Sequence, residues 1–433
     1  MFTTIKQVFQ PKNKDLLKRL LFTLFGLIIY KIGTAIVVPG IDRARLGTDN
    51  LGFLELINVM GGGALERFSI FALGVMPYIT ASIIIQLLQM DIVPYLAELA
   101  KQGHTGRMKT NQITRILGII LAFIQGYMMS FAFIKGGTVW SYMQFATVLT
   151  AGTAFTLWLG DQITANGIGN GISLIIMAGI IASLPKMFVD AWSGLVDASN
   201  TQGLFLGITM FTLFVLVYLT IIIGIIYVES AERRIPIQYA NKSTASLGRQ
   251  TYMPFKLNSA GVVPVIFSSA LISIPTLLAR FIKNDQFSLF ISKWLSMNTI
   301  TGFILYIAFI IAFCYFYTYL QLKPKEMADN LQKNGGYIPG IRPGKETIDY
   351  VSRILNRITI VGAIFLAVIA GLPIVFGIFS SLPTSVSIGG TGLLIIVGVA
   401  LETYKQLESQ LVARTYTTTH SSRRKRGWKI LFL

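Results

Sequence analysis

Residues able to do covalent chemistry are scarce in this chain of 433 residues. Its one cysteine, Cys314, lies within an apolar run, so neither an intrachain disulfide nor a thiolate metal cluster can form. Both histidines, His104 and His420, sit in polar segments, which excludes a histidine-rich metal site. No Gly-x-x-x-x-Gly-Lys-Ser/Thr loop is present to cradle a nucleotide phosphate. The chain therefore reads as a non-enzyme without a cofactor or resident metal. Charge inside the apolar stretches is equally sparse: Lys31 lies within one, and Lys186 and Glu402 lie at the ends of others. An ion-coupled secondary transporter, the competing reading, usually keeps carboxylates or histidines near the bilayer midplane. Their scarcity favours a passive conduit, and Lys31 reads as a side chain that snorkels to the interface.

Three kinds of segment remain that could do non-covalent work. The stretch Pro39 to Arg67 contains the short amphipathic run Gly52-Phe53-Leu54-Glu55-Leu56-Ile57 and then Gly61-Gly62-Gly63. It is too short and polar to span a bilayer, and it reads as a small helix on a glycine hinge that could fold back into the protein. Arg233-Arg234-Ile235-Pro236 and Pro339-Gly340-Ile341-Arg342-Pro343-Gly344 combine turn residues with exposed positive charge, a combination suited to partner contact. As simple orientation determinants they would look much the same. Finally, Pro77 and Pro264 each open an apolar stretch, in corresponding halves of the chain, as in helices that line a cavity and move.

These segments need elements to hold them, and composition says which. Hydrophobic residues make up 53% and charged residues 13% of the chain, with mean hydropathy +0.64. Soluble domains carry about 25% charged residues. Ten apolar stretches are long enough, or nearly so, to cross a bilayer as helices. They run near Leu20–Val37, Ile70–Met90, Ile116–Phe133, Tyr142–Gly160, Ile172–Val189, Leu204–Tyr227, Gly261–Phe281, Phe303–Leu320, Ile358–Phe379 and Ile388–Leu401. With the N-terminus inside, 28 of the 37 Lys and Arg fall on the cytoplasmic side and 8 outside, with Lys31 within a span. That asymmetry predicts N-in, C-in. The first stretch is followed by Val38-Pro39-Gly40 rather than a small-x-small cleavage site, so it is expected to stay as a helix. Ten divides into two five-helix halves of opposite orientation, an inverted repeat inferred from helix number and not from internal identity.

Several long motifs, in order, closely resemble the SecY family of bacterial protein-conducting channel subunits. They are Phe68-Ser69-Ile70-Phe71-Ala72-Leu73-Gly74 through Ile83-Ile84-Ile85-Gln86, and Gly167-Ile168-Gly169-Asn170-Gly171-Ile172-Ser173. They continue with Glu232-Arg233-Arg234-Ile235-Pro236-Ile237-Gln238-Tyr239-Ala240 and with the Pro339 to Gly344 motif. The resemblance runs from the first helix to about Tyr416 and implies an all-α polytopic fold that conducts unfolded secretory polypeptides and releases hydrophobic segments sideways into lipid. It implies an aliphatic pore ring of Val75, Ile79, Ile176, Ile180, Val262, Ile266 and Ile395. A narrow apolar ring dewets and blocks ions without gripping the passing chain.

The resemblance further implies a plug near 51–65, built on Phe53, Leu54, Leu56, Ile57, Gly61, Gly62 and Gly63. The second and seventh helices would form a lateral gate, with Thr80, Gln125, Ser268 and Ser269 as its polar residues. Arg233, Arg234 and Arg342 would dock the SecA motor ATPase and the ribosome with its nascent chain. Other implied partners are SecE-like and SecG-like subunits, signal sequences and membrane lipid. The implied setting is a bacterial, Firmicute-like plasma membrane.

The expected organisation is a cytoplasmic segment over 1–19, five-helix halves over 20–190 and 191–410, cytoplasmic loops over 230–260 and 321–357, and a basic tail over 411–433. Two segments depart from the family pattern. Gly103-His104-Thr105-Gly106-Arg107 lacks the acidic residue usual before the second glycine, and Asn241 to Leu247 is less basic than expected beside a docking motif. The tail with Arg423-Arg424-Lys425-Arg426 and Trp428 lies beyond the resemblance and suits anionic lipid or RNA. A purely structural scaffold would leave the glycine-hinged segment unexplained.

Overall fold

The computed structural model describes residues 14–39, 58, 61–90, 92–134, 138–196, 201–239, 251–281, 285–295, 299–379 and 392–411. The protein is mostly helical. Its elements are α1 (Lys14–Gly33), α2 (Met76–Leu88), α3 (Pro94–Lys101), α4 (Gly103–Phe133), α5 (Val139–Asn166), α6 (Gly171–Leu195), α7 (Thr201–Ser230), β1 (Glu232–Tyr239), β2 (Thr251–Lys256), α8 (Val263–Phe281), α9 (Asp285–Trp294), α10 (Ile300–Gln321), α11 (Pro324–Lys333), β3 (Gly336–Tyr337), α12 (Lys345–Phe379) and α13 (392–411). Among the described residues, five segments are long and apolar enough to cross a membrane: α4, α6, α7, α10 with its continuation α11, and α12. On α7, Phe205 and Tyr227 stand 77% and 78% exposed, a surface that suits lipid far better than water.

The chain divides into two units, 1–183 with 399–433 and 184–398, and α6 and α13 contribute to both. In the first unit α4 packs along α5 and α2, and α3 packs on α4. Ile85, Leu96 and Leu99 form a buried cluster with Leu88, Val93, Ile113 and Leu117, which seats α3 between its neighbours. Two features position the segment that follows α1. The α5–α6 turn is closed by side chains: Thr164 Oγ1 accepts from Gly171 N at 2.8 Å, and Asn170 Oδ1 accepts from Ile172 N at 3.1 Å. Thr23 Oγ1 of α1 accepts from Ile168 N of this turn at 3.0 Å. The long Gly167 to Ser173 motif is thus a structural turn that α1 leans on.

Residues 61–75 form no helix, although the apolar pattern starts a span at Ile70. Gly74 at φ +52° interrupts any helix there, and Pro77 in the first turn of α2 begins a new one. The irregular backbone is satisfied internally, as apolar surroundings require. Val38 N donates to Phe68 O at 2.8 Å, Ile70 N to Ile36 O at 2.9 Å, and Ser69 Oγ to Gly33 O at 3.0 Å.

The second unit contains the departure from an all-helical reading. β1 pairs antiparallel with β2 and β3 in the order β2-β1-β3, with Arg234 opposite Pro254 and Gln238 opposite Tyr337. Ile235 and Ile237 alternate inward, where they meet Phe255 of β2, Leu331 of α11, Ile338 after β3, and Val351, Leu355 and Ile358 of α12. The two long loops between α7 and α8 and between α10 and α12 are therefore one small α/β body with a common core. Elsewhere in this unit Trp192 of α6 meets Phe211 of α7 edge-on at 4.9 Å, and Phe267 of α8 meets Phe313 and Tyr317 of α10.

Candidate conduit residues and docking surface

In the first unit, the glycine triplet and α6 come together. Gly62 has φ +69° and lies so close to α6 that an added Cβ would stand 3.1 Å from the Cα and carbonyl oxygen of Gly179. Two glycines facing each other let the backbones touch. Gly179 adjoins Ile180 and lies three residues, nearly one helical turn, after Ile176. Both isoleucines are buried. Gly61 O accepts from the Tyr30 hydroxyl of α1 at 3.3 Å, and Gly63 N donates to Asn58 O at 2.8 Å. Asn58 Oδ1 in turn accepts from Glu66 N at 3.0 Å. The triplet is thus a hydrogen-bonded turn, buried at Gly61 and Gly62 and half-buried at Gly63, and the left-handed backbone at Gly62 and at Gly63, φ +80°, is what glycine supplies. Phe53, Leu54, Leu56 and Ile57 lie outside the described residues.

Val75 is the residue just ahead of α2 and is buried, while Ile79 on the next turn is half-buried. In the second unit, Val262 precedes α8 and approaches α13: an added Cβ on Gly398 would lie 3.1 Å from Val262 Cγ2. Gly398 follows the buried Ile395 by three residues, and Ile266 is half-buried on α8. In the second unit, therefore, two of the aliphatic candidates lie on neighbouring elements.

The polar candidates mostly satisfy their own helices. Thr80 Oγ1 donates to Met76 O at 3.1 Å, Ser268 Oγ to Pro264 O at 2.8 Å and Ser269 Oγ to Val265 O at 2.8 Å. Ser269 also lies 3.3 Å from the Tyr306 hydroxyl of α10. Gln125 is half-buried on α4. Lys31 occupies the last turn of α1 and is exposed. Reading the sequence missed the Arg115–Asp161 ion pair, 2.5 Å long, which ties α4 to α5. The two residues are far apart in sequence and lie just outside their apolar runs, so only the helix pairing reveals them.

Arg233, Arg234 and Arg342 are exposed on the α/β body. The Arg234 guanidinium lies 4.7 Å from the Tyr252 ring centroid, a cation–π contact across the hairpin. The backbone of Arg342 is held by the first turn of α12: its N donates to Glu346 Oε2 at 3.4 Å, and its carbonyl accepts from Thr347 Oγ1 at 2.9 Å. Gly340 and Gly344, at φ +81° and +102°, flank it in left-handed conformations. The arginine thus projects from a fixed loop. No group of three or more metal-ligating side chains occurs among the described residues.

The SecY family model matches residues 69–404. The protein translocase subunit SecY of Bacillus subtilis (strain 168) is 49% identical over 432 residues, covering 96% of this chain and 99% of that one. The chain belongs to the SecY family. The fold agrees. A SecY structure described by a plug domain that stabilises the closed state of the translocation channel and maintains a membrane seal aligns with TM-score 0.58, at 20% identity over 92% of this chain and 93% of that one. An idle yeast Ssh1 complex bound to the yeast 80S ribosome aligns with TM-score 0.63, at 15% identity over 90% of this chain and 89% of that one.

Proposed function

We propose that this chain is the central pore-forming subunit of the Sec translocon, conducting unfolded secretory polypeptides across the membrane and releasing hydrophobic segments laterally into lipid. The observation that carries this reading is the 49% identity, over nearly the whole of both chains, to the translocase subunit of Bacillus subtilis. The local geometry supports it. Gly62 seats the turn that follows residues 51–60 against α6 at Gly179, between Ile176 and Ile180. A plug leaving that turn would start beside two of the proposed ring residues.

In this reading ten helices cross a bacterial plasma membrane as two inverted halves with both termini in the cytoplasm. Val75, Ile79, Ile176, Ile180, Val262, Ile266 and Ile395 form the ring, and 51–65 forms the plug. Thr80, Gln125, Ser268 and Ser269 line the gate. Hydroxyls that already bond their own helix cost little to separate from a neighbour, since interhelical polar contacts are worth only about 0.6–2 kcal/mol each. That suits a gate which an apolar signal segment must open. Arg233, Arg234 and Arg342 form the cytoplasmic docking surface for SecA and the ribosome. SecE-like and SecG-like subunits complete the complex.

The test is cross-linking of a stalled secretory chain to single cysteines at Ile79, Ile176 and Ile266. The translocating chain should reach all three. Failure to reach any of them, with translocation intact, overturns the pore assignment.

A further inference from the structure

The root of the α/β body contains a buried polar side chain that no part of the proposed conduit uses. Asn258 lies between β2 and α8 and is 3% exposed. Its Nδ2 donates to Glu229 Oε1 at 2.6 Å, in the last turn of α7, and to Gly261 O at 3.1 Å, at the entry to α8. One residue earlier, Leu257 N donates to Ala231 O at 2.9 Å. Gly362 of α12 packs against the same point: an added Cβ there would stand 2.8 Å from Leu257 O. Four elements thus meet at one amide: the end of α7, the hairpin, the start of α8 and the middle of α12. The Oδ1 of Asn258 is buried without a hydrogen-bond partner. A buried polar atom left orphaned costs stability, so the residue is not there to maximise it.

We propose that Asn258 and Glu229 form a mechanical coupler: a positioning pair that makes the docking hairpin and the start of α8 move as one body. This rests on the reading of the hairpin as docking surface and α8 as gate helix. The hairpin is joined to α7 at Ala231 and to α8 at Ser259 by single strands of chain, tied to each other by the Leu257–Ala231 backbone bond. The charge-assisted bond to Glu229 and the bond to Gly261 clamp both joints from one side chain. A load applied at Arg233 or Arg234 is then delivered to Val262 and Ile266. Without the clamp, the same load would be absorbed by bending at residues 257–261.

The experiment uses the complete complex in vesicles with SecA as the applied partner. N258L keeps the side-chain volume, removes the orphaned oxygen and cuts both bonds. E229L cuts one bond from the more exposed side. Both should leave SecA binding within about twofold of wild type and lower SecA-driven translocation about tenfold, the factor set by losing one charge-assisted bond of ordinary strength. The reversed pair N258D with E229Q restores a bond of opposite direction to the end of α7 but cannot donate to Gly261 O, so it should recover only part of the rate, whereas N258D alone sets two carboxylates together and should recover none. Unchanged translocation in N258L and E229L overturns the coupler. Loss of SecA binding in parallel with translocation also overturns it, because the pair would then merely hold the hairpin folded. If the wild-type complex itself fails to translocate, the conduit reading is what falls.

Discussion

Gly62 and Gly63 differ in one respect that separates packing from backbone strain. Both have positive φ, but Gly62 faces the backbone of Gly179, while nothing lies within 4 Å of a Cβ built at Gly63. A side chain at Gly63 meets only the left-handed penalty of about 1–2 kcal/mol. A side chain at Gly62 meets that penalty and a backbone that cannot move aside. G62V should therefore unseat the turn and raise the ion leak of idle vesicles several-fold, and G63A should change it little. Equal leaks from the two would show that the contact with α6 carries no seal. The glycines were visible in the sequence as a possible hinge. Their partner was not, because nothing in the run around Ile176 and Ile180 marks Gly179 as a seat. The same holds for Arg234: its charge is legible, but its stacking on Tyr252 depends on a strand pairing 18 residues away.

At the level of elements, hydropathy located a helix in each of the ten apolar stretches and misplaced the ends where polar chemistry takes over. α4 begins at Gly103, well before its apolar run, and α13 continues through Glu402, Lys405 and Glu408 to 411, because a helix does not stop where lipid would. α2 starts late because Gly74 and Pro77 set its beginning. The sheet escaped altogether. Arg233-Arg234-Ile235-Pro236 reads as charge and turn, and the inward alternation of Ile235 and Ile237 is too brief to announce a strand. Its core also gathers residues from two loops about a hundred positions apart, which no local pattern can join. That core makes a prediction. Phe255 is 2% exposed among Ile235, Leu331 and Leu355. F255A should cost about 3–5 kcal/mol, enough to loosen the α/β body. Proteolysis within 230–260 and 321–357 should speed up sharply, while cross-linking at Ile79 and Ile176, in the other unit, is unaffected. Unchanged proteolysis would mean that the two loops do not share a core.

For the whole molecule, the charge asymmetry predicts an orientation that can be read directly. The native Cys314 is buried, so cysteines introduced elsewhere can be labelled against a low background. A membrane-impermeant maleimide should reach R342C only from the cytoplasmic side and T138C only from the outside. The reverse pattern would invert the topology.

The bond between Thr23 and Ile168 has a bearing on how such a chain is born. α1 is made first, yet its hydroxyl waits 145 residues for the amide it accepts from. At ordinary synthesis rates that is roughly 7–30 s. The wait is longer for Leu16, which is completely buried in a cluster with Ile168 and with Leu411 near the other end of the chain. The first unit is therefore finished last. Its opening helix joins the α5–α6 turn once Ile168 is made, but the cluster around Leu16 stays incomplete until Leu411 arrives, so a nascent chain interrupted before α13 would leave that end of α1 uncovered. Surveillance that destroys incomplete membrane proteins would find in that uncovered end a signal present until the closing helix is made.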